Sequence, residues 1–215
     1  MVLSFISVDE YKEGQIPPFL LYNNIIWLSI MNKTSQIILG SLITLSSIFV
    51  SVPEARASTH EEHKELWTAL QQVGIDTMVN HPDLCDSGIV DGAYLTQKSI
   101  LIVCQDNAHR FGSKEVSWTE NDYDTLRHEA HHVIQDCLDG GLADGNSALL
   151  FKDFDDFREF VFDTLTEEQV NHIIDVYKKQ GAPDDVILQE LEAFAVANSV
   201  NPSYITEGVL RACGA

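Results

Sequence analysis

The sequence predicts an α+β fold in which a small antiparallel sheet comes first and a mainly helical C-terminal half follows. Within residues 93–104, two apolar segments flank the polar turn Thr96-Gln97-Lys98, which is the pattern of a β-hairpin. From Tyr123 onward, apolar residues recur at helical spacing instead. The chain shows no internal repeat and no low-complexity tract, so this order of elements fits a single domain.

The first fifth of the chain differs in composition from the rest. A second possible start at Met31 precedes Lys33 and the apolar segment 37–52, which contains no charged residue. Ala55-Arg56-Ala57 then has the small-x-small form of a signal-peptidase site. The apolar segment is short for a transmembrane span, so we predict a cleaved secretory signal, with an uncleaved membrane anchor as the alternative.

Three regions follow from this signal. We expect residues 1–30 to be an upstream extension before the true start, residues 31–57 to be the signal peptide, and residues 58–215 to be one secreted or periplasmic domain. Residues 1–57 hold three of the 13 basic and four of the 33 acidic side chains, so the expected mature chain keeps 10 − 29 = −19 charges. Such an acidic surface repels phosphate backbones. We therefore expect no nucleic-acid partner and, after signal cleavage, no stable membrane insertion.

All four cysteines lie in the expected mature domain, and an even number after a secretory signal indicates disulfides. Four cysteines allow three pairings. We favour Cys85 with Cys104, which closes a local loop, and Cys137 with Cys213, which ties the C-terminus to the helix before it. The chain has no CxxC pair, so cysteine ligation of a metal is not expected.

The N-terminal elements follow from apolar spacing and from turn residues. A helix is expected over 60–73, because its apolar residues have helical spacing and Gly74 ends it. A short strand is expected over 77–80, and the hairpin arms over 93–95 and 99–104.

The C-terminal elements follow from capping residues. Ser117 or Thr119 can cap a helix that continues through Cys137. Thr166 is a cap and Gly181 a stop for a later helix. The expected helices after the glycine-rich break are 151–162, 166–179, 183–200 and 204–212.

The segment TLRHEAHHVIQDC, residues 125–137, separates into two helix faces at about 100° per residue. Leu126, Ala130, Ile134 and their apolar neighbours form one stripe, and His128 and His132 lie on the opposite face, one turn apart. The order His128-Glu129-x-x-His132 lets two imidazoles reach one metal ion and places a carboxylate beside them. His131 lies between the two faces and is expected to lie at the rim of the cleft or to form a local hydrogen bond rather than to bind the metal.

This HEAHH segment and its flanks resemble the zincin metallopeptidases, and the resemblance extends over residues 93–197. It implies Zn²⁺ held by His128, His132 and a third side chain, with Glu129 as the base that takes a proton from water. It also implies a peptide or protein substrate aligned along strand 99–104. Metzincins have glycine and histidine where this chain has Gln135 and Leu138, so the resemblance is to the gluzincin type, whose third ligand is a glutamate from a later helix.

The third ligand is sought in LQELEAFAVAN, residues 188–198. Glu192 lies deeper in an apolar sector of that helix and precedes Ala193, as in the family pattern, so it is our choice. Glu190 is the alternative, followed by an aspartate of the cluster 153–156. Gln135 and Asp136 are expected to orient the ligand histidines.

The leading interpretation is a secreted zinc-dependent peptidase or peptidase-like protein. One alternative is a non-catalytic secreted zinc-binding protein that uses the fold for structure or for partner binding. Another is a periplasmic inhibitor or adhesion factor whose site holds no metal. Zinc content together with peptide cleavage separates the three.

If Met31 is the start and cleavage follows Ala57, N-terminal sequencing of the exported protein will begin at Ser58. Sequencing of the mature protein from the culture fluid or the periplasm checks this. A mature peptide that contains Asp9 or Tyr11 would contradict it.

Overall fold

A computed structural model describes residues 60–85, 90–108 and 114–214, and the predicted upstream extension and signal peptide lie outside these ranges. The described residues form a mixed α+β fold with a three-stranded sheet. The strands are β1 (Asp76–Val79), β2 (Gly92–Leu95) and β3 (Ile100–Val103). The helices are α1 (His60–Gln72), α2 (Pro82–Cys85), α3 (Glu120–Leu138), α4 (Phe154–Thr164), α5 (Glu167–Lys179), α6 (Asp184–Ser199) and α7 (Pro202–Cys213). No helix within the described residues has both the length and the apolar composition that a bilayer span requires.

The sheet is mixed rather than antiparallel throughout. β2 and β3 form the predicted antiparallel hairpin, joined by a 3₁₀ turn at Thr96–Lys98. β1 pairs with the other edge of β3 in parallel, with Asp76 opposite Ile100 and Val79 opposite Val103. The turn residues predict the hairpin because its pairing is local, whereas the direction of β1 depends on the longer connection through α2.

This order makes β3 the central strand and corrects the expected role of residues 99–104. The sheet order is β1-β3-β2, so both edges of β3 already form main-chain hydrogen bonds within the sheet. A strand paired on both sides cannot add an extended peptide. Among the described strands, β2 is the edge strand beside α3.

Helix starts follow the capping residues closely. Thr119 caps α3, where its side chain accepts from the Asp122 backbone and the Asp122 side chain accepts from the Thr119 backbone. The Asp153 side chain caps α4 by accepting from the backbone nitrogens of Asp155 and Asp156. The acidic cluster 153–156 therefore serves a helix start rather than a metal. Asn201, expected only to break α6, also caps α7.

The core has two parts, and α6 contributes to both. One part joins α1, the sheet, α3 and α7 through Leu66, Leu101, Leu126, Val133 and Val209. The other joins α4, α5 and α6 through Phe157, Val170, Ile173 and Leu191. Helix α3 thus packs its apolar stripe against the sheet and α7, while its histidine face meets α6.

Both predicted disulfides are confirmed. Cys85–Cys104 joins α2 to the residue after β3, and Cys137–Cys213 joins the last turns of α3 and α7. The second disulfide closes the longer loop, since its cysteines are 76 residues apart against 19 for the first.

Removal of each disulfide will lower the free energy of unfolding by an amount that grows with loop length. The loss of chain entropy predicts about 3 kcal/mol for Cys85→Ala/Cys104→Ala and about 4.5 kcal/mol for Cys137→Ala/Cys213→Ala. Urea denaturation of the two double variants measures both. A larger loss from the Cys85–Cys104 pair would show that loop length does not govern the stabilisation.

Candidate metal centre

The histidine face of α3 is covered by α6 and does not face solvent. His128 and His132 retain only 1% and 8% of their exposure, and Glu129 is fully buried. The helix wheel placed this face opposite the apolar stripe, and a polar face can stay in the interior only when its groups find partners. Helix α6 supplies them with two buried glutamates, Glu190 and Glu192.

Glu190 completes a triangle of side chains with the two histidines, and each ring nitrogen faces a different oxygen of its carboxylate. Nε2 of His128 lies 3.1 Å from Nε2 of His132 and 3.2 Å from Oε2 of Glu190. Nε2 of His132 lies 3.5 Å from Oε1 of Glu190. These three side chains form the group that could hold a metal ion among the described residues.

The triangle fits a zinc-sized ion. Bonds of about 2.0–2.1 Å in a tetrahedral site place neighbouring ligand atoms roughly 3.3–3.4 Å apart. The 3.1 Å between the two ring nitrogens and the 3.2 Å from Nε2 of His128 to Oε2 of Glu190 lie close to this value, and the 3.5 Å contact of His132 is with the other oxygen of Glu190, Oε1. Oε1 of Glu190 is buried and receives no regular hydrogen bond from a described residue, so a cation between the three side chains would compensate its burial.

The third ligand differs from the sequence-based choice of Glu192. The Glu192 carboxylate faces the other side of α3, where its Oε2 lies 2.8 Å from Nε2 of His131 and 2.7 Å from Nε2 of Gln135. It also accepts from the backbone nitrogens of Leu150 and Phe151, at 3.2 Å each. Glu192 is buried as predicted, but its partners are hydrogen-bond donors. His131, as expected, stays outside the ligand triangle.

The two predicted orienting residues have different partners. Oε1 of Gln135 lies 2.8 Å from Nδ1 of His132, as an orienting partner requires. Asp136 instead accepts from the Tyr94 hydroxyl of β2 at 2.6 Å and so joins α3 to the sheet, which corrects its predicted role. Burial, with the Asp136 carboxylate beside it, raises the pKa of Tyr94, so the hydroxyl keeps its proton and donates.

The pKa values of His132 and Glu190 depend on each other, because each side chain lies beside the charge of the other. Burial alone would lower the pKa of His132, but the charge of Glu190 and its hydrogen bond, together with the charge of Glu129, raise it to about 9. Burial would raise the pKa of Glu190, but His132 and His128 hold it well below its usual range. Glu190 is therefore a carboxylate at neutral pH, and a metal ion must displace a proton from His132 to bind.

In the pair formed by His131 and Glu192, the pKa of the histidine is lowered rather than raised. Burial lowers the pKa of His131 and outweighs its contact with Glu192, so this ring is neutral. Burial would raise the pKa of Glu192, but the hydrogen bonds from His131, Gln135 and the Leu150 backbone lower it. The neutral His131 ring therefore donates from Nε2 to the carboxylate, and this nitrogen has no lone pair for a metal.

Glu129 lies on α3 where Gly92 of β2 approaches the helix closely. A Cβ atom at Gly92 would lie 2.5 Å from Cγ2 of Thr125, 2.8 Å from the Ile102 carbonyl oxygen and 3.3 Å from Cγ of Glu129. Only glycine permits this approach of strand to helix. The charge of Glu129 contributes to the raised pKa of His132.

Two further contacts, like the close approach at Gly92, were not predicted from the sequence. The Tyr177 hydroxyl of α5 donates to Oε2 of Glu190 at 2.7 Å, and the Phe194 ring packs 4.4 Å from the His128 ring. Gly92 carries a weak signal, since glycine at a strand often marks close backbone approach. No sequence pattern connects Tyr177 to Glu190, because their helices meet only through tertiary packing.

Comparison of the chain with protein-family models, with curated proteins and with solved structures finds no match. The zincin resemblance thus rests on the sequence alone, and the structure adds Glu190 to the two histidines of the motif.

Gly92→Ala will destabilise the protein far more than Gly208→Ala, although both glycines face α3. The Cβ at position 92 meets a backbone oxygen and a packed methyl group, and such overpacking costs about 1–3 kcal/mol. At position 208 it meets only the terminal methyl of Ile134 at 2.9 Å, which can rotate away. Alanine also favours helix α7 by up to about 1 kcal/mol.

Urea denaturation of both variants measures the difference. Equal losses would show that β2 and α3 can separate at Gly92 without cost.

Proposed function

We propose that this chain is an exported zinc-dependent peptidase in which His128, His132 and Glu190 hold the metal and Glu129 is the catalytic base. The observation on which this depends is the triangle of these three side chains, with 3.1 Å between the ring nitrogens and 3.2 and 3.5 Å from them to the two oxygens of Glu190. The order His-Glu-x-x-His on α3 supports the same assignment, because it sets the base directly beside the first ligand.

The ligand set favours zinc over calcium and magnesium. Calcium and magnesium prefer shells of oxygen ligands, whereas two imidazoles with one carboxylate suit a zinc ion. Structural zinc sites use four protein ligands, often cysteines, and catalytic sites use three. The described group has three, and all four cysteines are in disulfides. These disulfides also suit an exported protein, because they persist in oxidising compartments.

The roles of the side chains follow from their positions. Zinc, when bound, supplies a Lewis acid that polarises a carbonyl oxygen and favours deprotonation of water. Glu129, which follows His128 in the motif, is the carboxylate that we propose takes that proton and passes it to the leaving amine. The Tyr177 hydroxyl holds Oε2 of Glu190, and the Phe194 ring supports His128. Peptide bonds are the substrate class that the motif indicates.

One observation favours a second candidate, a non-catalytic zinc protein. His128 is 1% exposed and Glu190 is fully buried, so only His132, at 8%, has measurable access to solvent among the three ligands. A structural site needs no access, whereas a peptidase must admit its substrate. The same triangle therefore serves both candidates, and activity decides between them.

Zinc binding and cleavage will respond differently to two substitutions. Wild-type protein will bind one zinc per chain and cleave unfolded casein or a quenched fluorescent peptide library. Glu129→Gln will keep the zinc and lose about 10²- to 10⁴-fold of the cleavage rate, because general-base catalysis contributes that much. Glu190→Gln will lose zinc, because a neutral amide is a poor ligand in place of the carboxylate. Glu168→Gln, exposed on α5, is the matched control.

Zinc content by elemental analysis and initial cleavage rates separate the candidates. Bound zinc without cleavage by any form would favour the non-catalytic zinc protein. Wild-type protein without affinity for zinc would remove both candidates and leave the inhibitor or adhesion class. Full zinc binding by Glu190→Gln would exclude Glu190 as the third ligand.

A further inference from the structure

We propose that Gln135 is a positioning residue for His132 and that Glu192 holds the Gln135 amide in the orientation this requires. The inference rests on the proposed function, since it concerns one of the proposed zinc ligands. It gives Glu192 a role that differs from metal ligation and accounts for its burial two residues from Glu190 on α6.

The orientation of the Gln135 amide is decided by its neighbours. Nε2 of Gln135 lies 3.1 Å from the backbone oxygen of Gln189 and 2.7 Å from Oε2 of Glu192. A carbonyl oxygen only accepts, so the amide must present its NH₂ group to this side of the helix pair. The amide oxygen therefore points the other way, to Nδ1 of His132 at 2.8 Å.

This orientation fixes where His132 holds its proton. An amide oxygen cannot donate, so Nδ1 of His132 must carry the hydrogen of the contact. Nε2 is then the nitrogen whose lone pair is available in the neutral ring, and it faces His128 and Glu190. A reversed amide would place NH₂ against Nδ1 and move the hydrogen to Nε2, where it would block metal binding.

Glu192 is fixed by contacts that do not involve Gln135. Its Oε2 receives His131 Nε2 and the Leu150 backbone nitrogen, and its Oε1 receives the Phe151 backbone nitrogen. Both Gln135 and Glu192 are fully buried, so water does not compete for these groups. Reversing the amide would set oxygen against oxygen at both Glu192 and Gln189, and the buried network opposes it.

The chain offers a matched control in Gln189, another buried glutamine of the same helix pair. Among the described residues its side chain forms hydrogen bonds with Ser147, through Ser147 Oγ at 2.9 Å and the Ser147 carbonyl at 3.2 Å. Replacement of this side chain leaves the Gln189 backbone oxygen in place for Gln135. Gln189→Leu thus removes a buried glutamine without touching the amide that faces His132.

Two measurements test the proposal: nitrogen-15 NMR of the histidine rings in metal-free protein, at a pH at which the His132 ring is neutral, and zinc affinity by chelator competition. Wild-type His132 will show a hydrogen on Nδ1 that is protected from exchange with solvent. Gln135→Leu will lose this protection and bind zinc about 10- to 100-fold more weakly, the usual effect of removing an orienting partner. Glu192→Leu will show a smaller loss of exchange protection and of zinc affinity. Gln189→Leu will match the wild-type protein in both quantities.

The wild-type spectrum tests the proposal without any variant. An Nδ1 atom of His132 that carries no protected hydrogen would overturn it, as would Gln135→Leu with wild-type protection and wild-type affinity. Wild-type behaviour of Glu192→Leu would remove Glu192 from the proposal. If wild-type protein binds no zinc, the proposed function fails, while the ring hydrogen of His132 still decides whether Gln135 orients this side chain.

Discussion

The packing of the histidine face of α3 against α6 is the constraint on which the rest of the structure depends. This interface buries histidine, glutamate and glutamine side chains together, and each pays a desolvation penalty unless a partner compensates it. The contacts form two sets, and Gln135 joins them because it contacts both His132 and Glu192. Glu190 meets the His128–His132 pair, while Glu192 meets His131.

Elements outside this interface hold it in place. Tyr177 on α5 fixes Glu190, the loop at Leu150 and Phe151 is bound to Glu192, and Tyr94 on β2 anchors α3 through Asp136. The Cys137–Cys213 disulfide secures the last turn of the same helix. Metal ligands need such support, because rotamer freedom in the ligands weakens both affinity and geometry.

The histidine triplet illustrates how neighbouring residues of one type take separate functions. His128 and His132 are four positions apart and share one face, so both reach the same point. His131 is rotated by about 100° from its neighbour and reaches the opposite glutamate. The two glutamates of α6 divide in the same way, because residues two positions apart on a helix lie on different sides of it.

Local signals in the sequence determined much of this protein. The caps of α3 and α5, the β2–β3 hairpin and the spacing of His128, Glu129 and His132 depend on residues within a few positions of each other. Tertiary structure alone decided that Glu190 rather than Glu192 joins the histidine pair, that β3 is central and that Asp136 binds Tyr94. A helix wheel gives the angle between two side chains, but which side faces α3 depends on how α5, α6 and the 147–151 loop pack together.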